Sequence, residues 1–72
     1  MTNTTLLKNK IEESGYKIGF IADQLHMSRN TLWLKVNGVR QFNQYEINEL
    51  CSLLNITSLN DKEAIFFAKN VI

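Results

Sequence analysis

The run Ser28-Arg29-Asn30-Thr31 sets a guanidinium, an amide and two hydroxyls in consecutive positions. Such side chains are the usual readers of base edges. Lys17 and Arg40 stand on either side of it and add charge of the sign that phosphates attract. This is the chemistry of recognition rather than of bond cleavage. The chain offers no paired carboxylates at a plausible site, no nucleophile with a base and no phosphate loop, so an enzyme is not expected. His26 is the sole histidine and Cys51 the sole cysteine, which leaves a metal site without ligands and a cofactor without a cradle.

Recognition side chains need a rigid support, and the sequence around them supplies one. Before the run, Ile21, Ala22 and Leu25 fall on one face of a helix. Ala22 is small enough to let another helix cross closely. A tight break follows at His26-Met27-Ser28, where the residue after Leu25 must take φ > 0. Histidine is among the non-glycine residues that tolerate that region, so His26 reads as a turn residue. Ser28 then stands at an N-cap position. Leu32 and Val36, four apart, share the inner face of a second helix, and Asn37-Gly38 ends it with Gly38 free to adopt φ > 0. Helix, short turn and capped helix make a helix-turn-helix unit over about residues 18–38, whose second helix would offer its N-terminal residues to the major groove.

Length and composition bound the rest. Seventy-two residues make one small domain, 1–72, and a hydrophobic content of 44% suffices for one core. No apolar run is long enough for a membrane span, and the opening M-T-N-T-T-L-L-K lacks a signal-peptide pattern. A single cysteine fits a reducing compartment, so a cytoplasmic location is expected. The net charge of +1 is low for a dedicated nucleic-acid binder. Residues 15–44 carry Lys17, Arg29, Lys35 and Arg40 against Asp23, a local charge of +3, while the remainder carries four lysines against six acids, or −2. Few cations allow few phosphate contacts.

Three more helices complete the expected frame. A first helix runs from a Thr4 or Thr5 cap to about Ser14, with Leu7 and Ile11 inward, Gly15 at its end, and Lys8, Lys10, Glu12 and Glu13 on a solvated face. Phe42 anchors the loop after Gly38. Asn43 and Glu46 form a capping box for a fourth helix with Ile47, Leu50, Cys51 and Leu54 on one face. A fifth helix is expected to start with the cap pattern Asn60-Asp61-Lys62-Glu63 and to run toward Asn70. Its adjacent Ile65, Phe66 and Phe67 cannot all face inward.

These residues resemble a known family. The pattern I-A-D-Q-L-H-M-S-R-N-T-L, then K-V-N-G, then F-N-Q-Y-E-I-N-E-L, is similar to the Cro/CI-type helix-turn-helix domain of temperate phages, and the later L-N-I and I-F-F resemble its small members from phages of Gram-positive bacteria. The resemblance spans roughly residues 5 to 70. It implies an all-α fold, a compact five-helix, lambda-repressor-like DNA-binding domain with the helix-turn-helix in helices 2 and 3. It implies DNA-facing positions at Lys17, Ser28, Arg29, Asn30, Thr31, Trp33, Leu34 and Asn37. Repressors, Cro-like regulators, antitoxins and modulators of repression share the fold. The small size looks most like a Cro-like protein or a modulator encoded beside a phage repressor.

The sequence departs from a DNA reader at Ile18, Trp33 and Leu34. Ile18 opens the second helix where family members often carry a polar phosphate contact. Trp33 and Leu34 lie off the Leu32/Val36 stripe. Exposed together, the three would form an apolar patch of the kind that marks an interaction site; the alternative is that Trp33 folds over the fourth helix as core. The expected function is therefore regulation of a phage lysis–lysogeny switch in the host bacterial cell, as an antirepressor that binds the phage repressor in a heteromeric complex through Ile18, Trp33 and Leu34. Operator DNA would be bound weakly through Lys17, Ser28, Arg29, Asn30, Thr31, Asn37 and Arg40. The alternative is a stand-alone Cro-like homodimer on operator DNA.

Overall fold

Every helix but one begins at a side chain that holds a free N–H of its first turn. In the computed structural model, which describes residues 1–69, five helices follow in order: α1 Thr4–Ser14, α2 Ile18–Gln24, α3 Arg29–Val36, α4 Gln44–Leu53 and α5 Leu59–Phe66. The cap of α1 is Asn3, whose Oδ1 accepts from the Leu6 N–H at 3.1 Å, and neither Thr4 nor Thr5 takes that part. Asparagine is the stronger cap, and its position three residues before Leu6 suits the bond. Ser28 caps α3 by accepting from the Thr31 N–H. Asn43 and Glu46 close a reciprocal capping box on α4. The cap of α5 is Ser58, which accepts from the Asp61 N–H, two residues ahead of the expected Asn60. Helix α5 ends at Phe66 rather than continuing; Asn70 lies outside the described residues. Helix α2 is the exception, since Lys17 makes no side-chain cap bond.

The breaks are set by backbone conformation. Gly15 ends α1 at φ 75°, and Gly38 follows α3 at φ 78°. His26 occupies the left-handed region at φ 58°, as the short α2–α3 turn requires, and Asn55 does the same after α4 at φ 59°.

One core collects the inner stripes. Leu7 and Ile11 of α1, Leu32 and Val36 of α3, and Ile47, Leu50 and Cys51 of α4 are buried, with Ile65 and Phe66 of α5. Helix α2 packs on α3 and α4, with Ala22 fully covered at the crossing, while α1 packs on α3 and α5. Phe42 meets Phe66 edge to face at 5.8 Å, which fixes the loop after α3 onto α5. The N-terminus is tied down too: the Asn3 N–H donates to the Ile65 carbonyl, and the Ala68 N–H to that of Met1. All regular structure among the described residues is helical, within 29 × 24 × 21 Å. No helix among them is long and apolar enough to cross a membrane.

Among the described residues, Lys35 is the one residue of α3 in an ion pair with another element. Its Nζ donates to both carboxylate oxygens of Glu46 at 2.7 Å, with the two side chains only 14% and 11% exposed. Glu46 also accepts from the Asn43 N–H, so a single carboxylate caps α4 and holds α3 against it.

Candidate nucleic-acid and partner interface

The N-terminal ends of α2 and α3 bring five of the expected DNA-facing residues to one region. Lys17 precedes α2 and is exposed; Ser28, Arg29 and Asn30 are exposed at the start of α3, and Thr31 is half-buried one turn in. Asn37 and Arg40 stand at the far end of α3, eight residues or about 12 Å along the axis from Arg29. The two groups stand at opposite ends of the helix.

Several of these polar groups are already engaged. Ser28 Oγ accepts from the Thr31 N–H and donates to Thr31 Oγ1, each at 3.0 Å. Asn37 Nδ2 donates to the Trp33 carbonyl at 2.8 Å, closing the end of α3. Arg29 lies back over α2, beside Gly19. Among the described residues Asn30 makes no side-chain hydrogen bond and stands free to bond elsewhere. The charge is smaller than counting residues suggests. With Lys35 neutralised by Glu46, the positive side of the α2–α3 half reduces to Lys17, Arg29 and Arg40.

The apolar residues make a different surface. Trp33 is 43% exposed and does not fold over α4; it stands beside α1. There it borders a groove of about 430 Å³ with Ile11, Glu12, Tyr16 and Ile18. Lys8, exposed as expected, reaches over the indole, with Nζ 5.9 Å from the ring centroid, within cation–π range. Ile18 is half-buried against the core at the groove's edge. Leu34 is half-buried and lies outside this groove, so the structure unites two of the three expected apolar residues.

Two aromatic residues extend the surface beyond those expected. Tyr16 and Phe20 are exposed, with ring centroids 5.0 Å apart. Tyr16 lines the Trp33 groove, and Phe20 lines the neighbouring cleft with Lys17, Gly19 and Arg29. Trp33, Ile18, Tyr16 and Phe20 therefore form a continuous apolar strip with cations along its edges. Phe20 could have been found as an aromatic off the Ile21/Ala22/Leu25 stripe, whereas Tyr16 stands in the link between α1 and α2, where no periodicity marks it.

The remaining candidate groups do structural work. Burial pushes the Cys51 thiol up from its ordinary pKa, against a smaller lowering by Lys62, so it stays protonated near neutral pH. Among the described residues no group of three or more His, Cys, Asp and Glu side chains is placed to hold a metal ion. Compared with protein-family models, curated proteins and solved structures, the chain finds no match.

Proposed function

We propose that this chain is a regulator of a temperate-phage lysis–lysogeny switch, a modulator of repression that binds the phage repressor through the face built by α2 and α3. In this reading α2, the turn at His26 and α3 act as a helix-turn-helix of the Cro/CI type, and part of its DNA face has become a protein face. The observation that carries the reading is the strip beside that unit in which Trp33, Tyr16 and Phe20 are exposed and Ile18 is half-buried. Water and phosphate offer such side chains nothing. A partner's apolar helix face does, at about 1.5–3 kcal/mol for each side chain fully covered, before the costs of association. Binding there would set the repressor's own DNA-reading surface against this one and keep it from its operator. DNA binding by the chain alone is weak, because among the described residues 15–44 only three cations are unpaired by carboxylates and the Ser28 hydroxyl already donates to Thr31 Oγ1 and accepts from the Thr31 N–H.

A second reading, a homodimeric Cro-like operator binder, is favoured by Asn30, exposed at the start of α3 with its amide free. Gel mobility shifts separate the two. The first reading expects the repressor encoded beside this chain to lose its operator shift when the chain is added, and the chain alone to give only a faint, salt-sensitive shift. A tight, sequence-specific shift by the chain alone favours the second reading and overturns the first.

A further inference from the structure

Gly19 is the second residue of α2, where glycine weakens a helix relative to alanine. Its φ is not positive, so backbone conformation does not call for glycine there. What calls for it is space. A Cβ at position 19 would lie 2.9 Å from Arg29 Nε, 3.1 Å from Nη2 and 3.4 Å from Cζ. The guanidinium of Arg29, the first residue of α3, rests on the bare backbone of α2. Charge does not hold it there: among the described residues Arg29 has no carboxylate within 4.0 Å. Asp23 lines the same cleft without forming an ion pair.

We propose that Gly19 is a positioning residue for Arg29. By leaving its side of α2 open, it lets the guanidinium lie along the helix beside Phe20 and Lys17 instead of extending past the start of α3. A cation is thereby placed at the end of the aromatic strip, where it meets a partner domain rather than a base edge. The proposal rests on the partner reading above. It adds a residue that no base- or partner-facing pattern would single out, because glycine itself offers no side chain to bind with. Arg29 is exposed and the atoms in the way are the far end of its long side chain, so a methyl group at position 19 displaces it cheaply and leaves the fold intact.

The test combines nuclear magnetic resonance with calorimetric titration of the full chain. In the wild type, the Gly19 Hα and Arg29 side-chain protons give an Overhauser contact. Gly19→Ala loses the guanidinium's place, keeps or raises the melting temperature, and weakens binding to the DNA-binding domain of the neighbouring repressor by about fivefold or more. In an Arg29→Ala background the same change leaves affinity unaltered, because there is no guanidinium left to displace. Unchanged affinity for Gly19→Ala, an equal loss in the Arg29→Ala background, or a loss accompanied by a lower melting temperature each overturns the positioning role. Trp33→Ser, run alongside, separates the two claims: if it abolishes binding while Gly19→Ala does not alter it, the partner face stands and the role of Gly19 falls. If the wild type gives no heat at all, the partner reading falls, and absence of the Overhauser contact overturns the seat itself.

Discussion

Removing one partner of the Lys35–Glu46 pair should destabilise the domain more than removing both. At 2.7 Å and an effective dielectric near 20, the Coulomb attraction is of order 6 kcal/mol, and desolvation of both charges offsets roughly half. Lys35→Met leaves a buried carboxylate that still accepts from the Asn43 N–H; Glu46→Gln keeps that acceptor but leaves a buried ammonium. Each single change should cost about 3 kcal/mol, or roughly 12–24 °C in melting temperature for a domain of this size. The double variant carries neither stranded charge, and should cost about 2 kcal/mol, giving a coupling energy of about 4 kcal/mol. Urea unfolding followed by far-ultraviolet circular dichroism measures all four corners of the cycle. Against a total stability of about 4–11 kcal/mol for such a chain, the singles remain measurable in the cold. A coupling below about 0.5 kcal/mol would refute the reasoning, because it would mean that water screens the pair and that α3 is held on α4 by apolar contact alone.

His26→Gly should raise stability by about 1 kcal/mol, since the residue sits at φ 58° and makes no side-chain hydrogen bond among the described residues; thermal unfolding checks this, and a lower melting temperature would mean an unseen contact. Cys51 should resist alkylation in the folded state and react only on unfolding. Its folded thiol holds the proton more tightly than the unfolded one, so its contribution to stability is full below the unfolded pKa and is lost as pH rises through the folded pKa. A thiol that reacts at the rate of free cysteine at neutral pH would contradict both statements.

Local rules carried the frame. The stripes Leu7/Ile11, Ile21/Ala22/Leu25, Leu32/Val36 and Ile47/Leu50/Cys51/Leu54 are all buried, because helical period and side-chain type alone decide which face turns in. The αL turn at His26 and the capping box at Asn43 were legible for the same reason: each depends on residues a few positions apart. Competing caps were not. Asn3 and Thr4, or Ser58 and Asn60, differ by small energies that the exact helix register decides. Pairings across elements were hidden altogether. Lys35 counts toward a DNA-facing charge until α4 brings Glu46 to it, and nothing in the sequence pairs the exposed Lys8 with Trp33. The strip beside the α2–α3 unit was half legible: Trp33 and Ile18 stood out by being apolar off the core stripe, whereas Tyr16 joined them only when the end of α1 folded back beside Trp33.

The central claim is that the Trp33 strip is a protein-binding face. Calorimetric titration of the Trp33→Ser variant into the DNA-binding domain of the phage repressor proposed as its partner tests it most directly, with thermal unfolding as the check that the variant folds. Trp33 is 43% exposed and stands outside the buried core cluster, so the variant should fold and its affinity should fall by about tenfold or more. A folded Trp33→Ser variant that binds the repressor as tightly as the wild type would contradict the account.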